Sequence, residues 1–152
     1  MKRLRKYLAL SPTGRAIVLR SLFLLPVVSL LLKARGMKCA RAWLRRSGRF
    51  AGRTSEFAPG EIAALVGAAA SLLQARCLPR SLVLCQLLRD RGSSAEIRLG
   101  VAKPADGLLS AHAWVEVDGF ALNDGLDVDA RYSVLPLRAD RNCPNSRAPR
   151  LF

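Results

Sequence analysis

The spacing of apolar and polar side chains divides the chain into a helical part followed by a strand-forming part. Residues 61–74 are rich in Ala and Leu and carry a carboxylate in the first turn, as helix starts do. A second helix is predicted over residues 79–89, with Gly92 just beyond its end. Strand patterns then cover 95–101, 111–117 and 120–123. This order predicts an α+β fold in which helices pack on a small antiparallel sheet.

The N-terminal segment, residues 1–49, alternates basic and apolar stretches. From Ser21 to Leu32 there are 12 residues without a charge, whereas a bilayer-spanning helix needs about 20. A spanning helix is therefore disfavoured. A secretory signal is disfavoured as well, because Arg15 and Arg20 fall late and no small-x-small cleavage site follows. We expect a helix that lies against the following domain, with contact to a membrane surface or a partner as the alternative.

Turn-forming residues and prolines mark the remaining boundaries. Residues 48–60 contain several Gly, Ser and Pro and predict a linker. After Tyr132 the chain carries Pro136, Pro144 and Pro149 among arginines, which predicts irregular structure. We therefore divide the chain into a helical segment (1–49), one α+β domain (50–135) and an irregular basic tail (136–152).

Composition indicates a globular domain with a strongly basic surface. The 152 residues are 51% hydrophobic and 24% charged, enough for one domain with a modest core. The net charge of +14 attracts anions, and nucleic acid, anionic lipid or an acidic polypeptide would each satisfy it. Nucleic acid ranks last because no aromatic-interleaved basic stretch or known binding motif accompanies the charge.

The four cysteines favour a reducing compartment. Cys39, Cys77, Cys85 and Cys143 form no C-x-x-C pair, and the chain has one histidine. A zinc site or a disulfide framework is therefore not expected, and no cofactor is predicted. Cys85 falls on the apolar stripe of the second helix and should face the core.

Three residues stand in the order of a thiol-hydrolase triad: Cys77, His112 and Asp124. A thiol has a pKa of about 8.5, so a nucleophilic cysteine needs help to ionise. Cys77 comes at the predicted start of a helix, whose positive end favours thiolate, and His112 would take its proton. Taken singly, a histidine on a strand or a cysteine at a helix start is more often structural than catalytic. The backbone N–H of Cys77 and the side chain of Gln74 are candidate oxyanion donors.

The turn after residue 117 decides whether His112 and Asp124 meet. A two-residue loop, Asp118-Gly119, would place them on opposite faces of the sheet. A three-residue loop, residues 117–119, with a bulge at Gly119 would set them directly opposite each other, and we expect that loop.

Four neighbours compete for roles around this pair. Asp127 and Asp129 are rivals of Asp124 for the contact with the imidazole. Trp114 and Glu116 should share the face of His112, Trp114 as a groove wall or core residue and Glu116 as the solvated partner of an arginine.

Four stretches stand out together with Asp124: residues 77–82 (Cys-Leu-Pro-Arg-Ser-Leu), 87–92, 98–101 and 111–116 (Ala-His-Ala-Trp-Val-Glu). In combination they resemble the lasso-peptide biosynthesis leader peptidases. These are transglutaminase-like (papain-like) cysteine proteases of bacterial ribosomal-peptide pathways. The resemblance implies that Cys77 is the nucleophile, His112 the general base and acid, and Asp124 the residue that orients the imidazole.

The resemblance also implies a substrate and partners. A cytoplasmic protease of this family removes the leader from a precursor peptide and passes the core peptide to an ATP-dependent macrolactam synthetase. The chain leaves no room for a fused leader-recognition domain, so a separate recognition protein is expected. A transglutaminase-like amide transferase with the same triad, or a non-catalytic basic peptide-binding module, remain the alternatives.

Overall fold

Three long helices and a four-stranded antiparallel sheet make up the described part of the chain. The computed structural model describes residues 10–47, 57–102, 109–125 and 127–135. The elements are α1 (Pro12–Ser47), α2 (Pro59–Leu72), α3 (Cys77–Arg89), β1 (Glu96–Ala102), β2 (Ser110–Val117), β3 (Phe120–Ala121), α4 (Val128–Arg131) and β4 (Ser133–Val134). The predicted α+β fold is confirmed. The basic start, most of the predicted linker, residues 103–108, Cys143 and the 136–152 tail lie outside the described residues.

Helix α1 is a helical hairpin. Gly36 interrupts it with φ +75° and ψ −179°, a left-handed conformation that glycine adopts without steric cost. The Arg20 guanidinium donates a hydrogen bond of 3.2 Å to the carbonyl of Ser47. In a straight helix residues so far apart would lie about 40 Å from each other. The limb formed by residues 37–47 therefore runs back along the limb formed by residues 12–35.

Both limbs of α1 contribute to the core. Ile17, Leu25 and Val28 of the first limb and Leu44 of the second are buried against α2 and α3. By length and composition alone α1 could cross a membrane, although the short charge-free run predicted otherwise. Core helices and signal sequences pass that same test, and 33% of the most apolar window of α1 is buried in this fold. Helix α1 contacts α2 and α3, as expected of a helix that lies against the following domain, and its contact with a membrane surface or a partner stays a prediction.

Helix α3 begins two residues earlier than predicted, at Cys77. Pro79 lies in its first turn, where the missing N–H leaves no intrahelical hydrogen bond unmade. Most of α3 is buried, between the α1 and α2 helices on one side and the sheet on the other. Cys85 is 5% exposed, which confirms that it faces the core.

The sheet has the order β3-β2-β1-β4, and β2 in its interior carries His112. In the β1–β2 ladder Gly100 lies opposite His112. Between β2 and β3, Val117 lies opposite Phe120, and Asp118 and Gly119 have φ of +52° and +84°. These values define a two-residue hairpin turn. The prediction of a three-residue bulged loop is therefore wrong.

Candidate active site

Cys77 occupies the first position of a buried helix while its own side chain is partly exposed. The unpaired N–H groups at a helix start carry partial positive charge, and Cys77 lies in that first turn. Gln74, three residues earlier, has φ +49°, so the short connection from α2 to α3 makes a tight left-handed turn before the thiol. The thiol is thus presented at the surface by a rigid element.

His112 Nε2 and Asp124 Oδ2 are in direct hydrogen-bonding contact, even though the turn has two residues. The parity argument assumed a regular strand as far as residue 124, whereas β3 ends at Ala121. The N–H of Val115 donates to the side-chain Oδ1 of Asn123, at 2.7 Å, instead of to a backbone carbonyl of a continuing strand. The chain bends over residues 122–124, and this bend brings Asp124 to the face of His112.

The second carboxylate oxygen of Asp124 is held independently of the imidazole. Oδ1 accepts hydrogen bonds from the Gly125 N–H, at 2.7 Å, and from Arg131 Nη2, at 2.8 Å. Burial alone would raise the pKa of Asp124, but the Gly125 N–H, His112 and Arg131 together hold that pKa below its ordinary value. Asp124 is therefore an anion throughout the neutral range.

Of the two rival carboxylates, Asp127 serves a different purpose. It pairs with Arg131 at 3.1 Å and is largely exposed. Arg131 thus bridges Asp127 and Asp124, so Asp127 braces the arginine rather than the imidazole. The side chain of Asp129 lies outside the described residues. Arg131 itself had no signal in the sequence, because it belongs to a four-residue helix among many other arginines.

The imidazole of His112 is packed among aromatic rings. Tyr132 stacks at 5.1 Å between ring centroids and Trp114 at 6.2 Å. Trp114 is fully buried, so it is a core residue and not a wall open to substrate. Its indole N–H donates to Glu116, which also accepts from Arg98, each at 2.8 Å. Glu116 does pair with an arginine, but it does so in a buried position.

Gly100 leaves the space that these rings occupy. A Cβ atom at this position would lie 2.8 Å from Tyr132 Cβ and 2.9 Å from two ring atoms of Trp114. Neither contact is sterically possible without movement of the surrounding groups. Gly100 and Tyr132 are therefore part of the support of His112, and sequence reasoning assigned no role to either.

A buried hydrogen-bond network joins the three elements that carry Cys77, His112 and Asp124. Ser81 Oγ donates to the Ala113 carbonyl at 2.8 Å and accepts from Asn123 Nδ2 at 2.9 Å. Ser81 lies one turn after Cys77, Ala113 follows His112, and Asn123 precedes Asp124. Helix α3, strand β2 and the 122–124 bend are thus fixed to one another through a fully buried serine.

Because Nε2 faces Asp124, Nδ1 is the ring nitrogen that remains for another partner. A neutral imidazole whose Nε2–H points to a carboxylate has its lone pair on Nδ1, which can accept a proton from a thiol. Among the described residues, no three His, Cys, Asp or Glu side chains come together as metal ligands do.

Comparison with protein families agrees with this architecture. The family model for the transglutaminase-like superfamily matches residues 22–136, and the chain belongs to that superfamily. Cysteine proteases and acyl transferases are common among its members. Comparisons with curated proteins and with solved structures give no match.

Proposed function

We propose that the protein is a cysteine protease that removes the leader from a lasso-peptide precursor before macrolactam formation. Cys77 is the nucleophile, His112 the general base and acid, and Asp124 the group that orients the imidazole. The observation that carries the proposal is the contact of His112 Nε2 with an anionic Asp124, which leaves Nδ1 as the base. Membership of the transglutaminase-like superfamily and the resemblance of residues 61–124 to leader peptidases support the same assignment.

In the acylation step, His112 Nδ1 takes the proton of the Cys77 thiol, and the thiolate attacks the scissile carbonyl carbon. The backbone N–H of Cys77 donates to the resulting oxyanion. When the C–N bond breaks, the imidazolium gives its proton to the departing amine. The core peptide leaves with a free N-terminus, and the leader remains on Cys77 as a thioester.

In the deacylation step, His112 takes a proton from water as the oxygen attacks the thioester carbonyl. The C–S bond breaks, the sulfur recovers the proton from His112, and the leader departs with a C-terminal carboxylic acid. Asp124 stays ionised through both steps and stabilises the imidazolium each time it forms.

This function places the protein in the cytoplasm with three partners. They are the precursor peptide, a separate leader-recognition protein and the ATP-dependent macrolactam synthetase. The net charge of +14 suits an acidic polypeptide partner.

Cleavage of the precursor encoded beside this gene tests the proposal, with the recognition protein and the synthetase supplied and the products read by mass spectrometry. Wild type should release the leader and Cys77→Ala should not. Cys39→Ala is the matched control, because Cys39 is also a partly exposed thiol outside the candidate site. Transfer of the acyl group to an added amine in place of water would establish an amide transferase. An intact precursor together with an unreactive Cys77 would establish a binding module.

A further inference from the structure

A groove of about 730 Å³ borders Cys77. One wall is residues 25–33 of α1, and the other is residues 73–79, which end in the first turn of α3. We call this space the α1 groove. Its volume lies within the ~300–1,000 Å³ typical of ligand-binding clefts. None of its described lining residues belongs to β2, the strand that carries His112.

The lining of the α1 groove is mainly apolar. Pro26 and Leu30 of α1 face Leu73 across the space, and both leucines are exposed, Leu30 by 66% and Leu73 by 44%. When an apolar ligand covers exposed leucines that border a concave surface, the free energy falls because apolar area is removed from water. Lys33 and Arg76 also border the groove, and the described residues provide no ion-pair partner for either.

The position of His112 determines which part of a peptide the groove can hold. His112 must donate a proton to the leaving amine, so the segment after the scissile bond lies on the imidazole side of Cys77. The acyl segment before the scissile bond must extend to the other side. The α1 groove borders Cys77 without involving β2 and therefore suits the acyl segment.

We infer that the α1 groove binds the last residues of the leader through apolar side chains, with an acidic residue at Lys33 and Arg76. This inference rests on the proposed function and names the site that selects its substrate. It assigns α1 a direct role in binding, beyond its contribution to the core.

Filling the groove gives the first test. Ser29 lies on the α1 wall, and its hydroxyl bonds to the carbonyl of Leu25, four residues earlier, at 2.8 Å. Ser71 makes the same contact to Gly67, at 2.9 Å, on the exposed face of α2. Ser29→Trp should lower kcat/KM for precursor cleavage by about tenfold or more. Ser71→Trp should leave it unchanged.

Exposed positions provide a second pair that poses little risk to folding. Leu30→Ser should raise KM about three- to tenfold, whereas Leu19→Ser on the same helix, 58% exposed and outside the groove, should not. Lys33→Glu should also raise KM, and Lys38→Glu on the second limb is its control. Throughout, the rate at which iodoacetamide alkylates Cys77 should stay at the wild-type value, because this small probe does not need the groove.

Three results would overturn the assignment. In the first, folded Ser29→Trp and Leu30→Ser variants cleave the precursor with wild-type kcat/KM. In the second, their defect vanishes when the concentration of the recognition protein is raised, which would make the groove a docking surface for that protein. In the third, wild type leaves the precursor uncut although Cys77 is alkylated, which would remove the proposed function and this inference with it.

Discussion

Asn123 Nδ2 and Ser81 Oγ are 2.9 Å apart, and each residue is a close neighbour of a different member of the candidate triad. Asn123 also accepts from the Val115 N–H through its other side-chain atom, at 2.7 Å. One amide side chain thus ends strand β3, starts the bend that carries Asp124, and fixes that bend to the helix of Cys77.

Removing either partner of this hydrogen bond should destabilise the fold. Ser81→Ala or Asn123→Ala leaves a buried polar group without its partner, and each should lower the free energy of unfolding by about 1–3 kcal/mol. Because the two side chains share one network, the double variant should lose less than the sum, by about 0.5 kcal/mol or more. Urea unfolding of the three variants measures this coupling. Strict additivity would contradict the network.

Asp124→Asn should impair cleavage severely although the two side chains have nearly the same shape. Two N–H donors, from Gly125 and Arg131, already point at Oδ1. The carbonyl of the new amide is best placed there, so its NH₂ group faces His112 Nε2. That arrangement forces the proton onto Nδ1, which then cannot accept from the thiol.

The expected loss in kcat for Asp124→Asn is roughly 10²- to 10⁴-fold. Asp127→Asn is the control, since Asp127 pairs with Arg131 but does not contact His112. It should cleave within about threefold of wild type. Single-turnover cleavage of the precursor measures both variants, and near-wild-type activity of Asp124→Asn would refute the tautomer argument.

The same carboxylate should make stability depend on pH on the acid side. The pKa of Asp124 is lowered in the folded protein, so its contribution is fully present above the unfolded pKa of about 3.9. That contribution disappears as the pH falls through the lower, folded pKa. Melting temperatures measured from neutral to acid pH should therefore fall more steeply for wild type than for Asp124→Asn. Parallel curves would show that the carboxylate is not stabilised by folding.

Gly100→Ala should disturb the packing of His112. The added methyl group would collide with the Cβ of Tyr132, which cannot swing away as the end of a long side chain can. We expect a loss of about 1–3 kcal/mol in unfolding free energy. Gly60→Ala, in the first turn of α2 with open space around it, should change stability by less than about 1 kcal/mol. Equal stability of the two variants would contradict the crowding at Gly100.

Cys77 and Cys85 should differ sharply in reactivity. Burial raises the pKa of the Cys85 thiol, so little thiolate forms near neutral pH, and the Sγ lies against the Ala95 carbonyl at 3.5 Å. Iodoacetamide should label Cys77 in the folded protein and Cys85 only after denaturation, as read by peptide mass spectrometry. Labelling of native Cys85 at the rate of Cys77 would show that α3 opens readily.

Local patterns predicted the elements of the fold well. Apolar spacing placed α2, α3 and the first two strands to within two residues, because each buries a continuous apolar face. Asp124 was singled out from its place in the chain order, and the structure brings it to His112. The three-residue turn that was expected to bring them together was wrong. They meet because the side chain of Asn123 replaces a backbone partner in the ladder and the chain bends over residues 122–124.

The residues that support the site escaped sequence reasoning for a common reason. Ser81, Gly100, Arg131 and Tyr132 act through contacts between elements, and no local pattern marks such contacts. The fold-back of α1 was equally hidden. Gly36 is one of 11 glycines in the chain, and only its backbone angles distinguish it.

The break at Gly36 divides α1 into two limbs that make different contacts. The returning limb is anchored at Ser47, while the outward limb forms one side of the space beside Cys77. On the proposal that the α1 groove binds the leader, Ser29, Leu30, Leu32 and Lys33 border the groove but lie outside the triad, so substitutions among them are expected to change which peptides fit. Exchanging these four residues between two related chains should then exchange their peptide preferences while Cys77, His112 and Asp124 are unchanged.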